Sequence, residues 1–365
     1  MIPDSNLADG SGFGEFTVVK LLGRGGMCSV HLVEKDGARY ALKVLSPRVA
    51  RENPEYVKRF VREAKIAMSV RHPNLVAVHD AGFSEEHGVY YILMDYVGGC
   101  DLRTAIAMGG AMEPNEAVRI ISSVAGALAA GEGIGIVHRD IKPENIMIDE
   151  GGIVKLVDLG VAKARGTDSL QTMPRTVFGT PNYISPEQAQ DASKVDSRAD
   201  VYSLGVVLFE LLTGKRPYEC EKPKEVLAKL LSPEELPDVR SFNPGVPERL
   251  AAIVKMMLAK NPRDRIASAS RLLEWFEKIG YDTSGTPNER SASASRQSDD
   301  GFSYAAYSET VANNTLSFET QDEEIRSFVS SLKTKRRTGR ILRLAAAVLG
   351  VILVVVAVLK FAILD

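Results

Sequence analysis

The chain has 365 residues, 45% of them hydrophobic, which is more than one typical core needs, so we expect two lobes or domains. The formal net charge is -2, from 45 basic and 47 acidic residues, and nothing in it indicates a nucleic-acid partner. Cys28, Cys100 and Cys220 are far apart and form no CxxC pair, which argues against a disulfide framework or a zinc site and fits a reducing compartment. Residues 1–16 are polar and glycine-rich without an apolar stretch, so no signal peptide is predicted.

A glycine-rich hairpin is predicted at the start of the folded part. The alternation in 16–22 predicts a strand, and a second strand follows at 30–33. Between them, the glycines of 23–29 (GRGGMCS) let backbone N–H groups approach a polyphosphate closely. The turn leads into a strand rather than a helix, which argues against a dinucleotide-binding unit. The GxGxxG spacing is weak by itself, and Cys28 occupies its third glycine position.

The most informative stretch is 136–147, IVHRDIKPENIM, which places Asp140, Lys142 and Asn145 within six residues between two apolar runs. Such a loop can bring a carboxylate to a substrate hydroxyl, a lysine to a developing phosphoryl charge and an asparagine to a metal ion. HRDIKPEN resembles the catalytic loop of the protein kinase family, and Lys142 two residues after the aspartate is typical of its Ser/Thr branch. The alternative is a charged surface turn between two strands, which the companion motifs argue against.

The resemblance covers about 16–279, is strongest to the bacterial (Hanks-type) Ser/Thr kinases, and implies an ATP site. Lys43, in the predicted strand 40–45, matches the lysine that holds the α- and β-phosphates. Glu63, in the predicted helix 55–69, matches the glutamate that pairs with this lysine. The alternative for Glu63 is a surface i,i+4 pair worth about 0.3–0.5 kcal/mol. The residues implied to bind ATP are Leu22, Gly23, Arg24, Gly25, Gly26, Met27, Cys28, Ser29, Val30, Ala41, Lys43, Glu63, Met94, Asp95, Val97, Asp101 and Met147.

The resemblance also implies a hinge between the lobes, just after a predicted strand at 89–96. Asp95 and Val97 would bond the adenine edge through their backbones, and Asp101 would reach the ribose. Gly98 and Gly99 lack side chains and suit a swivel at this point.

A metal site follows from the resemblance as well. Asp158 begins Asp-Leu-Gly, where the family usually has Asp-Phe-Gly, and with Asn145 it is implied to hold Mg²⁺, with Mn²⁺ as an alternative. Leu159 replaces an aromatic side chain that packs behind the helix of Glu63. An apolar residue of nearly that size costs about 1 kcal/mol or less, so catalysis is expected, while the on/off bias of this segment stays open.

A polar segment at 164–175 is predicted to be a mobile loop. Thr172 in this loop and Thr176 just beyond it are the candidate phosphorylation sites, because a phosphate of about −1.5 to −2 charge would find Arg139 as a bidentate partner. A Ser/Thr-rich loop that is merely solvated is the alternative. The following 179–187 resembles the family's substrate-docking segment, which implies protein substrates that bear serine or threonine.

A helix is predicted at 196–213. It is apolar nearly all round and hence buried, yet it is too short to span a membrane. By resemblance, Asp200 in this helix anchors the backbone of the catalytic loop. Glu187 and Arg265 are implied to form a buried ion pair, and removing one partner of such a pair typically costs about 3–5 kcal/mol. These three residues are expected to be structural rather than catalytic.

The C-terminal part changes character. Residues 280–332 are rich in Ser and Thr with little apolar surface, which predicts a disordered linker. Residues 333–343 form a basic juxtamembrane segment, and 344–364 are mainly apolar and would rise about 31 Å as a helix, near the hydrocarbon thickness of a bilayer. We expect a single transmembrane helix with the kinase domain on the cytoplasmic side, most simply at a bacterial inner membrane. An interfacial helix, a core helix and a eukaryotic tail-anchored location are the alternatives.

The resemblance therefore implies an α+β, two-lobed protein kinase fold, with a flexible N-terminus at 1–15, a β-rich N-lobe at 16–97 and a helical C-lobe at 98–279. The expected function is transfer of the γ-phosphate of Mg-ATP to Ser or Thr of proteins, with autophosphorylation of the mobile loop; a homodimer that acts in trans is open. A pseudokinase scaffold that binds nucleotide and partners without catalysis is the alternative, supported only by Cys28 and Leu159. A small-molecule phosphotransferase is disfavoured by the docking segment.

Overall fold

The computed structural model describes residues 7–158, 181–191, 195–220 and 222–285. These residues form two lobes, a small one built on a sheet and a larger one of helices, which confirms the predicted α+β fold. The strands of the small lobe are β1 (Gly12–Phe13), β2 (Phe16–Arg24), β3 (Cys28–Lys35), β4 (Ala38–Leu45), β5 (Val78–Ser84) and β6 (Val89–Asp95). In the described residues they make one antiparallel sheet in the order β1-β2-β3-β4-β6-β5.

Strand β4 lies inside this sheet, between β3 and β6, and both of its faces are covered. Leu42 and Val44 pack into one apolar cluster, whereas Ala41 and Leu45 pack into another. Successive side chains of a strand point to opposite faces. Lys43 therefore shares the face of Ala41 and Leu45, which is the face that packs with the helix of this lobe.

That helix is α2 (Pro54–Ser69), preceded by the short helix α1 (Pro47–Glu52). Its start is determined locally, because the Asn53 side chain accepts a hydrogen bond from the N–H of Tyr56 at 3.1 Å. Phe60, Ala64 and Ala67 recur at helical spacing, and all three are buried. The helix predicted at 55–69 is thus confirmed, and its buried face brings Glu63 toward the sheet.

The ordered N-terminus is longer than the sequence predicts. Of the stretch 1–15, expected to be flexible, strand β1 pairs with Phe16 and Thr17, and Phe13 is only 5% exposed. The Phe13 ring packs edge-on against Tyr91, with centroids 5.2 Å apart. One aromatic residue in a polar, glycine-rich stretch produces no periodic pattern, so the prediction for this part of 1–15 was wrong.

A second sheet follows the predicted hinge, where β7 (Gly99–Asp101) pairs with β8 (Ile146–Asp149), which in turn pairs with β9 (Val154–Leu156). Gly99 has φ of 135°, and a Cβ there would lie 2.1 Å from the carbonyl oxygen of Ile148. The close approach of the two strands therefore requires glycine at this position. The swivel predicted for Gly98 and Gly99 is a separate hypothesis.

The large lobe is organised around one buried helix. Its described helices are α3 (Leu102–Gly109), α4 (Pro114–Glu132), α5 (Pro186–Gln190), α6 (Arg198–Thr213), α7 (Pro223–Leu231), α8 (Glu248–Met257) and α9 (Ala269–Lys278). Every residue of α6 from Ala199 to Leu212 is buried, and Gly214 ends the helix in the left-handed conformation, with φ of 69°. The helix predicted at 196–213 is confirmed and begins two residues later.

Helix α9 ends at Lys278, close to the predicted domain end at 279. In the ranges that the structure describes, none of the helices combines the length and the apolar character needed to cross a bilayer. The predicted transmembrane segment 344–364, the basic segment 333–343 and the linker from 286 onward lie outside those ranges.

Candidate active site

The backbone of the catalytic-loop motif donates hydrogen bonds to helix α6. Both carboxylate oxygens of Asp200 accept backbone hydrogen bonds at 2.7 Å, one from the N–H of His138 and the other from the N–H of Arg139. Arg139 has φ of 66°, a conformation that is unfavourable for a residue with a side chain. Burial raises the pKa of Asp200 to about 6, although the two backbone donors act in the opposite direction. Asp200 thus has the geometry of an anchor for this strained loop.

Two polar side chains of the loop converge on the carboxylate of a third. Asn145 Nδ2 donates to Asp140 Oδ2 at 3.1 Å and to the backbone carbonyl of Asp140 at 2.8 Å. Lys142 Nζ lies 3.2 Å from the same Oδ2. Burial alone would lower the pKa of Lys142, but the charges of Asp140 and Glu144 outweigh it and the pKa is raised. The loop therefore presents a positioned carboxylate beside a lysine that stays charged.

A second charged pair joins the sheet to the segment after β9. Lys43 Nζ lies 2.5 Å from Asp158 Oδ1, although the two residues are 115 positions apart. Burial by itself would lower the pKa of Lys43 and raise that of Asp158; their mutual attraction reverses both, so the pKa of Lys43 is raised and that of Asp158 is lowered. The Asp158 side chain is 46% exposed, so one side of this pair is open to a ligand.

The two charged groups of residues belong to one site. Lys142 lowers and Asp140 raises the pKa of Asp158, so the catalytic loop lies within electrostatic reach of the pair. Glu63 lines the same pocket as Lys43 and Asp158, and its charge contributes to the raised pKa of Lys43. The ion pair described here for Lys43 is with Asp158, so the Lys43–Glu63 pair stays a prediction.

An apolar cluster lies beside these charges. Ala41 and Met94 are opposite each other in neighbouring strands, and both are buried. Leu22, Val30 and Val97 are partly buried and pack in the same cluster. Five residues predicted to bind ATP thus come together from β2, β3, β4, β6 and the chain after β6. Met147 lies on β8, half-buried and paired with Asp101 and Lys155.

The glycine-rich turn connects β2 to β3. Gly23 and Arg24 end β2, and Gly25, Gly26 and Met27 form the turn, which the Gly25 N–H closes on the carbonyl of Cys28 at 2.8 Å. Ser29 Oγ lies 2.9 Å from Nε2 of the buried His31.

The thiol of Cys28 is poorly suited to nucleophilic chemistry. Burial raises the pKa of Cys28 to about 11. Thiolates, not thiols, are the reactive form. Cys28 therefore stays a neutral thiol near neutral pH, consistent with a small packing residue at this position.

Two residues that were predicted to bind the nucleotide also make hydrogen bonds within the protein. Asp101 is 9% exposed, and its Oδ1 accepts the N–H of Thr104 at 2.7 Å, which caps the start of α3. Asp95 Oδ1 lies 2.6 Å from His79 Nε2. At most the other carboxylate oxygen of Asp101 is available for the predicted contact with a ribose.

The predicted pair of Glu187 and Arg265 is bidentate. Arg265 Nη1 and Nη2 donate to the two Glu187 oxygens at 2.7 and 3.1 Å. The same guanidinium donates to the carbonyls of Ala259 and Arg198, and it stacks over the Tyr202 ring at 5.0 Å. The Arg265 side chain is 0% exposed, so this pair belongs to the core of the large lobe.

Sequence reasoning missed an acidic cluster next to the catalytic loop. Glu144 and Glu210 lie on either side of Arg103, and the Tyr183 hydroxyl donates to Glu210 at 2.6 Å. The signal was Glu210 itself, since a glutamate within a helix that is apolar all round is expected to have a partner.

The donor set fits magnesium. The described residues contain no group of three or more His, Cys, Asp or Glu side chains that would hold a metal alone. Mg²⁺ commonly takes one or two protein ligands and completes its shell with phosphate oxygens and water. Asp158 and Asn145 meet that requirement. Leu159, Thr172 and Thr176 lie outside the described residues.

Residues 16–276 match the family model described as "Protein kinase domain". The chain is 39% identical over 258 residues to the serine/threonine-protein kinase PrkC of Bacillus subtilis (strain 168), a match that covers 70% of this chain and 39% of that protein. It is 40% identical over 256 residues to the serine/threonine-protein kinase PknB of Mycobacterium leprae, covering 69% of this chain and 41% of that protein. The match thus spans about two fifths of the length of these curated relatives.

A solved structure has the same fold. The crystal structure of the PknI kinase domain of Mycobacterium tuberculosis is similar with a TM-score of 0.58 and 31% sequence identity. The match covers 74% of this chain and 98% of that domain. The similarity thus extends over an isolated domain almost in full.

Proposed function

This chain belongs to the protein kinase family, and from that premise we propose that it transfers the γ-phosphate of ATP to serine and threonine hydroxyls of proteins. The observation that carries the proposal is the convergence of Asn145 and Lys142 on Asp140, within electrostatic reach of the pair of Lys43 and Asp158. The relatives described above are named serine/threonine-protein kinases, which supports the same hydroxyl substrates.

Each charged residue has a role that follows from its surroundings. Asp140, fixed by Asn145, orients the substrate hydroxyl and accepts its proton. Lys142, which stays protonated beside Asp140, offsets the charge that develops on the transferring phosphoryl group. Lys43 positions the phosphates of ATP, and Glu63 in the same pocket orients Lys43.

Asp158 and Asn145 are the residues that would hold Mg²⁺, or Mn²⁺ in its place. The metal supplies neutralisation of the phosphate charge. Because the pKa of Asp158 is lowered, its carboxylate is ionised at neutral pH and available to a cation. The apolar cluster of Ala41, Met94 and Val30 would take the adenine ring.

The test compares the purified chain with its Asp140→Asn variant during incubation with Mg-ATP. Intact mass followed over time should show stepwise addition of phosphate to the wild type, at a rate about 10²–10⁴-fold higher than in the variant. Asp36→Asn, at an exposed turn with φ of 51°, is the matched control and should behave as the wild type. Undiminished transfer by Asp140→Asn contradicts the assignment. Nucleotide binding without transfer by the wild type would favour the scaffold alternative.

A second proposal concerns autophosphorylation. It names the residues that are modified first and states how the rate depends on protein concentration. Thr172 and Thr176 are the first residues to be modified, because either phosphate would lie in a segment that follows the catalytic site and precedes the docking segment. Fragmentation of the singly phosphorylated chain identifies the residue. A rate per molecule that rises with protein concentration supports transfer between two copies that meet in solution. A rate per molecule that is independent of concentration contradicts such an encounter and leaves transfer within one chain or within a stable dimer.

We also propose that 344–364 tether the kinase domain to the cytoplasmic face of a bacterial inner membrane. The basic cluster at 333–343 and the apolar length of 344–364 support this orientation. The chain expressed in bacteria should stay with membranes after an alkaline wash, while a chain that ends at 332 should be released. Release of both chains contradicts the tether.

A further inference from the structure

The side chain of Gln188 connects the docking segment, 179–187, with the catalytic loop. Gln188 lies in α5, directly after Glu187, and is 9% exposed. Its Nε2 donates to the backbone carbonyl of Arg139 at 3.0 Å. Its Oε1 accepts the backbone N–H of Ser185 at 3.0 Å and the hydroxyl of the same residue at 3.1 Å. One buried amide therefore links its own helix to a backbone group that is 49 positions away.

The neighbours of this amide fix its orientation. A backbone N–H can only donate and a carbonyl can only accept, so the side-chain oxygen of Gln188 faces Ser185 and its nitrogen faces Arg139. The Ser185 hydroxyl accepts the N–H of Gln188 at 3.4 Å, which completes a reciprocal cap at the start of α5. A thioether or a hydrocarbon of similar length would fill the same space but would lack the donor for Arg139.

The carbonyl that Gln188 binds belongs to the peptide unit between Arg139 and Asp140. The N–H of the same unit donates to His138 Nδ1 at 3.3 Å. Asp200 accepts the preceding N–H, that of Arg139, at 2.7 Å. Arg139 has φ of 66°, and such a strained backbone persists only where the surrounding structure holds it. Gln188 is therefore one of the groups that hold this strained backbone in place.

The position of the Asp140 carboxylate depends on this peptide unit. Because a peptide unit is planar, a rotation that moves the Arg139 carbonyl also moves the N–H and the Cα of Asp140. Asn145 binds both the carbonyl and the carboxylate of Asp140, at 2.8 and 3.1 Å, so it fixes the side chain relative to the backbone that follows. Gln188 fixes the backbone that precedes Asp140. A displacement of about 1 Å at a reacting group can reduce a rate by about 10²-fold.

We propose that Gln188 is a positioning residue for phosphate transfer, whose amide fixes the peptide unit before Asp140 and ties it to the end of the docking segment. The proposal rests on the protein kinase function proposed above. Gln188 acts through the backbone of Arg139 rather than on the substrate itself. Its loss should reduce the rate of transfer and leave ATP binding unchanged, because Lys43 and the apolar cluster of the adenine site belong to the small lobe.

The test uses the purified full chain, Mg-ATP and a pool of peptides with a central serine. Gln188→Met keeps a side chain of similar length and lacks the donor for Arg139. Its transfer rate at saturating ATP should fall by about tenfold to a hundredfold, while its KM for ATP should stay within about twofold of the wild type. Hydrogen exchange of the backbone N–H groups of 139–141 should be about tenfold faster than in the wild type, because a bond that holds this peptide unit is lost.

Asn243→Leu is the matched control. Asn243 Nδ2 donates to the Leu212 carbonyl at 2.7 Å and its Oδ1 accepts the Gly245 N–H at 3.0 Å, so this amide also joins two backbone groups. Leu212 lies about 18 Å further along α6 than Asp200, at the end away from the catalytic loop. Both variants should melt about 2–4 °C below the wild type, but Asn243→Leu should keep the wild-type transfer rate and hydrogen exchange.

A folded Gln188→Met chain with the wild-type transfer rate overturns the proposal, and so does an equal loss of rate in Asn243→Leu. If Gln188→Met does not fold, Gln188→Asn carries the test, because its amide is one methylene too short to reach both Ser185 and Arg139. A loss of about threefold to tenfold in the transfer rate is then expected, and an unchanged rate overturns the proposal. A wild type that transfers no phosphate contradicts the proposed function instead, and hydrogen exchange then still decides whether Gln188 fixes the peptide unit before Asp140.

Discussion

Two ion pairs in this chain are similar in length but differ in their surroundings. Lys43 and Asp158 are 2.5 Å apart, and Arg265 and Glu187 are 2.7 Å apart. The Asp158 side chain is 46% exposed, whereas that of Arg265 is 0% exposed. Lys43 donates to one oxygen of Asp158, while Arg265 makes a fork with both oxygens of Glu187 and also donates to backbone carbonyls.

This difference separates two kinds of ion pair. One kind belongs to the frame, by which we mean the residues that stabilise the fold, and the other belongs to the candidate active site. A charge that is fully removed from water has to keep its partner, since an unpaired buried charge is very costly. A half-exposed carboxylate can exchange its partner for water, a metal or a phosphate-bound ligand at little cost. The pair of Arg265 and Glu187 is therefore suited to stability, and the pair of Lys43 and Asp158 is suited to ligand exchange.

The largest effect on stability is expected for Arg265→Met. The variant leaves Glu187 without its bidentate partner, and we expect a loss of about 3–5 kcal/mol in the free energy of unfolding. Thermal melting of the purified chain measures it. Arg265→Met combined with Glu187→Met should recover most of the loss, because two apolar side chains can replace a buried pair. A single variant that melts like the wild type would contradict the assignment of this pair to the frame.

A smaller loss is expected at strand β7, just after the predicted hinge. Gly99→Ala places a Cβ 2.1 Å from the Ile148 carbonyl oxygen at φ of 135°, and we expect about 2–4 kcal/mol of destabilisation from strain and overpacking. Gly98→Ala is the matched control, because its Cβ would lie no closer than 3.6 Å to any neighbour. Equal melting temperatures for the two variants would show that β7 and β8 accommodate a Cβ at residue 99, which would contradict the requirement for glycine there.

The pH dependence of stability tests the anchor at Asp200. The folded pKa of Asp200 is about 6, raised by burial from 3.8, so its contribution to stability is fully present below 3.8 and is lost as the pH rises through 6. The full change amounts to about 3 kcal/mol. The melting advantage of the wild type over Asp200→Asn should therefore be larger at about pH 5 than at about pH 8. The opposite trend would mean that the two backbone donors outweigh burial.

The smallest effect on stability, with a large effect on activity, is expected for Lys43→Met. Asp158 is half-exposed and can be solvated after the change, so we expect a loss of about 1 kcal/mol or less in stability. Phosphate transfer should fall by about 10²-fold or more, because a charge aimed at the phosphates is removed. Lys35→Met, which removes an exposed surface pair with Glu15, is the control for both assays. A Lys43→Met chain that unfolds, or that keeps its activity, would place this pair in the frame instead.

Local sequence predicted the residues of the catalytic loop and several of the strands and helices. The residues around Asp140 are contiguous, so their convergence follows from a single loop and could be predicted without tertiary contacts. The helices at 55–69 and 196–213 were predictable because one has an amphipathic period and the other is apolar on every side. Strand β1 was missed because a two-residue strand has no period to detect.

The tertiary structure decided two pairings of charged groups that sequence reasoning did not predict. Lys43 and Asp158 are 115 positions apart, and Arg103 and Glu210 are 107 apart, so no local pattern relates them. The requirement for glycine at Gly99 likewise depends on the approach of Ile148 from another strand. Periodicity reports which face of an element is buried, whereas the partner of a buried charge depends on how separate elements pack, and only the folded chain determines that packing.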